Sequence, residues 1–106
     1  MLGSGSQVPQ VSSQELAGLL GQPDVPLIVD VREPHEFAGG HIPGSRLIPL
    51  GSLESRLGEI PSDRDVVMVC RSGVRSTTAC AIMQTAGYRA RNLTGGMIGW
   101  TGPVES

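Results

Sequence analysis

Cys70 has the sequence surroundings of a reactive thiol. It ends the most apolar run of the chain, residues 66–69, and is followed by a loop that contains a glycine and two arginines. The loop residues are Arg71, Ser72, Gly73, Val74, Arg75 and Ser76. A thiolate is a much stronger nucleophile than a thiol, and nearby Arg side chains or a helix N-terminus favour the thiolate. The sequence therefore places the chain's chemistry at Cys70.

The loop after Cys70 has the composition of an anion-binding turn. Gly73 can adopt backbone angles closed to other residues, which lets successive N–H groups point inward, and the helix predicted after it adds its N-terminal dipole. Arg71 and Arg75 carry forked donors that suit a planar or tetrahedral anion. The alternative is an inert Cys at a strand end, since free Cys often packs as a small hydrophobe. The glycine and the two arginines favour the reactive thiol.

Alternating strands and helices are predicted to position this loop. Ser12 and Glu15 have the spacing of a capping box, which predicts a short helix to about residue 21. The remaining predicted elements are a strand at 27–31, a helical turn at 33–37, a strand at 47–49, a helix at 52–59, a strand ending at 69, a helix at 74–86 and a strand at 89–93. This order predicts an α/β domain with a central parallel sheet and helices on both faces. Ligands of such sheets bind at the carboxyl ends of strands, where Cys70 lies.

Composition limits the classes of function. With 106 residues, the chain has room for one core, predicted over residues 10–106 after a flexible tail at 1–9. A net charge of −2 and the absence of a basic run argue against a nucleic-acid partner. No run approaches the ~20 apolar residues of a membrane span, and the two cysteines lack the paired spacing of a metal site. We expect a cytoplasmic monomer that needs no metal and no cofactor.

Four motifs together resemble the rhodanese family of sulfurtransferases in its single-domain form. The resemblance covers residues 10–104, and its segments are 28–33 (IVDVRE), 36–45 (EFAGGHIPGS), 67–76 (VMVCRSGVRS) and 93–97 (LTGGM) followed by Trp100. It implies that Cys70 takes the outer sulfur of a donor such as thiosulfate, holds it as a persulfide and passes it to a thiophilic acceptor. The acceptor would be cyanide, a thiol or a partner protein.

The resemblance also implies roles for the neighbouring residues. The backbone of residues 71–76 would hold the persulfide, and the side chains of Arg71 and Arg75 would hold the anionic end of the donor. Asp30 and Arg32, at the end of a neighbouring strand, would support the site from behind. Alternatively, Asp30 and Arg32 form a solvated ion pair that caps the strand end and contributes little, as most surface ion pairs do.

Other residues that carry chemistry are predicted to be structural. We expect His41 to belong to a structural turn, because an ionised Cys needs no general base. Cys80 is predicted to pack in the core, and Trp100 to seal the edge of the core. Ser45 stands where the family often has Ala. The stretch after Trp100 is shorter than the family's usual one, which leaves the acceptor open.

Three alternatives to an ordinary sulfurtransferase remain at this point. A phosphatase or arsenate reductase on the same fold would use a Cys-x5-Arg loop, which is one residue longer than the loop from Cys70 to Arg75. A non-catalytic binding module often loses the Cys, which this chain retains. A sulfur-relay protein would share the chemistry and differ only in its protein partner.

Overall fold

The fold is built on a five-stranded parallel sheet. A computed structural model describes residues 8–106. The strand order is β1-β5-β4-β2-β3, and every pairing between neighbours is parallel. The elements are β1 (Gln10–Val11), α1 (Ser13–Leu19), β2 (Leu27–Asp30), α2 (Pro34–Ala38), β3 (Arg46–Leu47), two 3₁₀ helices (Leu50–Ser52 and Glu54–Glu59), β4 (Asp65–Val69), α3 (Val74–Thr85) and β5 (Arg89–Leu93).

The central strand β4 buries both of its faces. Val66 and Met68 belong to one core cluster, whereas Val67 and Val69 belong to a second cluster on the opposite face. All four side chains are fully buried. This is the reason why β4 reads as a continuous apolar run without polar alternation. The prediction of a parallel sheet covered on both faces is confirmed.

Helix α3 and the 3₁₀ helices cover the face on which the Cys70 side chain lies. Ala79, Cys80 and Met83 of α3 pack with Cys70 in the core cluster that also contains Val66 and Met68. Tyr88 ties the layer to the second 3₁₀ helix, because its hydroxyl donates to the carbonyl of Leu57 at 2.8 Å. The Cys70 loop is thus the connection between the most buried strand and the helix packed upon it.

Helix α1 covers the opposite face. The predicted capping box is present: the Glu15 N–H donates to Ser12 Oγ, and the Ser12 N–H donates to the Glu15 carboxylate. Leu16 is fully buried against β4 and β5, and Trp100 packs at the edge of the same cluster. The predicted place of Trp100 at the core edge therefore agrees with the structure.

Two features differ from the sequence-based expectation. The predicted α-helix at 52–59 is replaced by the two 3₁₀ helices, because residues 50–60 form a short stretch between Pro49 and Pro61 that contains Gly51 and Gly58. Strand β1 was not predicted, and it pairs with β5 at the edge of the sheet. Residues 1–7 of the predicted tail lie outside the described part, whereas Pro9 accepts a hydrogen bond from the Asn92 N–H.

Candidate active site

The Cys70 loop turns sharply at Gly73 and directs donors at the sulfur. Gly73 has φ of +101°, a left-handed conformation that favours glycine, and it is the residue from which α3 starts. Its N–H donates to Cys70 Sγ at 3.0 Å. Ser76, one turn into α3, is fully buried, and its Oγ lies 3.2 Å from the same sulfur. Cys70 itself is 1% exposed.

These donors lower the pKa of the Cys70 thiol below its ordinary value. Burial is the largest single influence, and it raises the pKa. The Ser76 hydroxyl and the N–H groups of Ser76, Gly73 and Ser72 together outweigh burial, because each stabilises the thiolate. The sequence attributed the lowering to the arginines together with the N–H groups of the loop and the helix N-terminus; the backbone donors agree with that expectation, and the Ser76 hydroxyl, not an arginine, is the largest lowering influence.

Arg75 is held by a carboxylate rather than left open to solvent. Its guanidinium donates to both carboxylate oxygens of Glu36 on α2, at 2.8 and 2.9 Å. This pair holds the pKa of Glu36 at about 2, the Arg75 hydrogen bonds being the largest cause and the Glu33 N–H the next. The pKa of Arg75 is raised, first by Glu36 and to a smaller extent by the charge of Cys70. Arg75 therefore acts on the sulfur only as a secondary influence.

Arg71 is exposed, and within residues 8–106 its side chain has no hydrogen-bond partner. Of the two arginines in the loop, Arg71 is therefore the one that an incoming anion meets without displacing a carboxylate. The sequence treated the two residues alike, because the Glu36 contact joins positions 39 residues apart.

The segment after β5 supports the loop from behind. The Met97 N–H donates to the Cys70 carbonyl at 2.9 Å, and the Ile98 N–H donates to the Arg71 carbonyl at 3.0 Å. A Cβ atom at Gly96 would lie 2.5 Å from the Arg71 carbonyl oxygen, so only glycine fits there. The Gly-Gly pair was part of the resemblance, but this contact was not foreseen.

A polar chain extends from Ser76 to the sheet edge. Ser76 Oγ also donates to Asn92 Oδ1 of β5, and Asn92 Nδ2 donates to Gln10 Oε1 of β1 at 2.9 Å. Sequence analysis missed both amides. A signal for Asn92 was available in the sequence: it lies two residues after the buried Ala90, so the Asn92 side chain is on the same, core-facing side of β5.

Asp30 and Arg32 form a buried pair, not the solvated pair considered as an alternative. They are 1% and 6% exposed, and the guanidinium makes hydrogen bonds of 2.8 to 3.0 Å to the carboxylate. Arg32 also donates to the carbonyl of Gly40, which ties the end of β2 to the following turn. Among the described residues, none of these side-chain bonds reaches the Cys70 loop. Between the two residues, the Val31 N–H donates to the carbonyl of Val69, the residue before Cys70.

The residues predicted to be structural have structural partners. His41 stacks on Phe37 with ring centroids 3.7 Å apart, and its Nδ1 lies 2.8 Å from the Phe37 carbonyl oxygen. Cys80 is fully buried, and burial raises its pKa to about 12. The Ser45 hydroxyl is buried and has no partner within residues 8–106, at a position where the family often has Ala.

Neither a metal site nor a membrane span is found in the part of the chain that the structure describes. No three His, Cys, Asp or Glu side chains gather there as a metal-binding group. No helix there combines the length and the hydropathy that a bilayer crossing requires.

Comparisons with known proteins agree with the fold. A family model described as a rhodanese-like domain matches residues 12–103. A protein of Allochromatium vinosum named "Sulfurtransferase" is 45% identical over 94 residues, which make up 88% of each chain. YrkF of Bacillus subtilis, whose name proposes it as a sulfur carrier protein, is 34% identical over 103 residues, which make up 96% of this chain and 56% of YrkF. A crystal structure of a rhodanese-like domain protein from Staphylococcus aureus has a TM-score of 0.86 at 32% identity and covers 92% of this chain and 96% of its own.

The chain therefore belongs to the rhodanese-like family, and the resemblance found in the sequence is confirmed. The family and the name of the Allochromatium relative support sulfur transfer as the general class of reaction.

Removal of the Asp30 carboxylate should destabilise the protein strongly. Asp30→Ala leaves the Arg32 guanidinium buried without its partner, which costs about 3 to 5 kcal/mol in comparable buried pairs. Asp65→Ala is the matched control, because it breaks the exposed pair with Arg89, and such pairs contribute little. Urea unfolding of both variants measures the difference. Equal, small losses would show that the buried pair does not hold the end of β2.

Proposed function

We propose that Cys70 is the nucleophile and sulfur carrier of a sulfurtransferase. The observation that carries the proposal is the convergence of the Gly73 N–H and the Ser76 hydroxyl on a buried sulfur with a lowered pKa. In the first step the Cys70 thiolate attacks the outer sulfur of thiosulfate. A sulfur–sulfur bond forms to Cys70, the bond within thiosulfate breaks, and sulfite leaves with the electron pair.

The second step returns the enzyme to its starting form. A thiophilic acceptor, cyanide or a thiolate, attacks the outer sulfur of the persulfide and forms a bond to it. The bond between the two sulfurs breaks, and the electron pair remains on Cys70 as its thiolate. The loop, residues 71–76, would hold the persulfide through its N–H donors, since its left-handed turn directs them inward.

Arg71 is the proposed first contact of the anionic donor. Its guanidinium is exposed, whereas that of Arg75 is occupied by Glu36. We propose that Arg75 mainly holds the loop against α2 and adds positive potential near the sulfur. Asp30 and Arg32 would support the site only through the position of β2.

Transfer from or to a protein is the second candidate, and two exposed apolar side chains at the loop favour it. Val74, within the loop, is 72% exposed, and Ile98, whose N–H binds the Arg71 carbonyl, is 67% exposed, although both are large hydrophobic residues. The name of YrkF adds support for a carrier role. The chemistry at Cys70 would be the same, with the persulfide of a partner protein in place of thiosulfate.

The phosphatase alternative has less support from the geometry. The loop is one residue shorter than Cys-x5-Arg, and its arginine is already bound to a carboxylate. An oxyanion larger than a single sulfur would have to widen the turn at Gly73 and compete with Glu36 for Arg75.

Exposure to thiosulfate should add one sulfur atom to Cys70 alone. Mass spectrometry of the treated protein, followed by peptide mapping without reductant, checks this expectation. Cys70→Ser should lose the added sulfur and reduce thiosulfate:cyanide transfer to background, because a serine hydroxyl is not ionised near neutral pH. Cys80→Ala is the matched control and should keep both, since its thiol is buried with a pKa of about 12. Sulfur on Cys80 only would refute the assignment of Cys70, whereas sulfur on neither cysteine would refute thiosulfate as the donor.

Arg71→Ala should raise the KM for thiosulfate by about ten-fold or more, as expected for one lost charge-assisted contact, while kcat changes less. Arg64→Ala is the control, because Arg64 is an exposed arginine that bonds to the Val25 carbonyl instead of the Cys70 loop.

The unmodified protein should turn over thiosulfate with cyanide and hydrolyse an aryl phosphate poorly. Phosphatase turnover without sulfur transfer would overturn the proposal, whereas inactivity in both assays would favour transfer from a protein donor.

A further inference from the structure

The hydroxyl hydrogen of Ser76 has two possible acceptors beside it, the Cys70 sulfur and the Asn92 side-chain oxygen. Ser76 Oγ is within hydrogen-bond distance of both Cys70 Sγ and Asn92 Oδ1. A serine hydroxyl carries one hydrogen, so it can donate fully to only one of them at a time. Ser76, Asn92 and Cys70 are all buried, so their polar atoms depend on donors and acceptors of the protein. The orientation of the Asn92 amide therefore decides whether the sulfur has a competitor.

Gln10 fixes that orientation from the neighbouring strand. Gln10 and Asn92 are register partners in β1 and β5, which brings their side chains together on one face of the sheet. Gln10 Oε1 accepts from Asn92 Nδ2 at 2.9 Å and from Thr94 Oγ1 at 3.1 Å. Gln10 Nε2 donates to the Val8 carbonyl at 3.1 Å. With its own oxygen and nitrogen both engaged, Gln10 holds the Asn92 nitrogen towards itself and the Asn92 oxygen towards Ser76.

We propose that Gln10 and Asn92 are positioning residues that determine where the Ser76 hydroxyl hydrogen points, and so how strongly Ser76 stabilises the anionic sulfur of Cys70. This inference rests on the proposed role of Cys70. The thiolate needs the hydrogen, whereas the inner sulfur of a persulfide is neutral and needs it less. Asn92 Oδ1 accepts the hydrogen in the persulfide form, so that the hydroxyl keeps a partner throughout the cycle.

The pair is neutral and separate from the charged groups near the loop. Those groups are Arg71 and Arg75 in the loop, Glu33 and Glu36 at α2, and the paired Asp30 and Arg32 at the end of β2. Gln10 is exposed and lines an open cleft of about 530 Å³ beside the loop, together with Thr78 and Thr94. Gln10 can therefore be replaced without a change to the core or to any charge.

Two substitutions should shift the Cys70 pKa in opposite directions. Gln10→Met releases the Asn92 amide, which can then turn its nitrogen towards Ser76 Oγ, so that the hydroxyl hydrogen goes to the thiolate. The pKa should fall by about one unit, the equivalent of one strengthened charge-assisted bond. Asn92→Asp places a carboxylate oxygen next to Ser76, which retains the hydrogen and adds negative charge, so the pKa should rise by about one unit or more.

The measurement is the pH dependence of alkylation by iodoacetamide, read on the Cys70 peptide by mass spectrometry. Thr78→Val is the matched control, since Thr78 lines the same cleft outside the Gln10 and Asn92 contacts, and it should leave the pKa unchanged. In a Ser76→Ala background, Gln10→Met should lose its effect, because the hydroxyl that transmits it is gone. Circular dichroism verifies that each variant is folded.

Opposite shifts that disappear with Ser76→Ala would support the inference. Equal pKa values in all variants, shifts of one sign, or a Gln10→Met shift that persists without the Ser76 hydroxyl would overturn it. Alkylation needs no sulfur donor, so the result is independent of the proposed function. A protein that shows these shifts yet never takes sulfur from thiosulfate or a persulfide would contradict the function and leave the positioning role intact.

Discussion

Burial of an ionisable sulfur is the constraint on which the rest of the site depends. Cys70 is 1% exposed, and a buried anion is stable only if donors replace the water that it loses. The chain supplies them by turning at Gly73 in a left-handed conformation, which aims an N–H at the sulfur, and by starting α3 there, which brings in the Ser76 hydroxyl. The loop conformation also depends on Gly96. Because Gly96 has no side chain, the segment after β5 can approach the loop and donate hydrogen bonds to its carbonyls.

The sheet topology explains why these parts meet. The loop leaves β4, the central strand, so it is flanked by the carboxyl ends of β2 and β5. Strand β5 contributes Asn92 and the segment that closes behind the loop, whereas β2 leads through the buried Asp30 and Arg32 pair to α2 and Glu36. The groups that contact the sulfur follow β4, and those that contact the loop come from the ends of β5 and β2, so the site lies at the carboxyl ends of three neighbouring strands.

Local signals made most of the fold predictable and singled out Cys70 as the candidate thiol. Three signals each lie within about ten residues of sequence: the capping box of α1, the apolar run of β4 and the loop from Cys70 to Gly73. Strand β5 has the predicted bounds. The Glu36 to Arg75 pair and the Asn92 to Gln10 contact join residues 39 and 82 positions apart, so no local pattern reveals them. Strand β1 has only two residues, too few for a periodicity. The lowered pKa and the contribution of backbone N–H groups were expected, but the Ser76 hydroxyl was not, because its direction depends on the folded turn.

The central claim is that buried backbone and hydroxyl donors stabilise the Cys70 thiolate, with the arginines secondary. Its most direct test is the thiol pKa of the unmodified protein, taken from thiolate absorbance or from Cys70 alkylation against pH, at low and at high salt. Because a lowered pKa keeps the thiolate populated as pH falls, reactivity should persist below the ordinary thiol pKa of about 8.5. High salt should change the Cys70 pKa little, since buried interactions are weakly screened. A pKa at or above the ordinary value, or a low pKa that returns to it in high salt, would contradict the account.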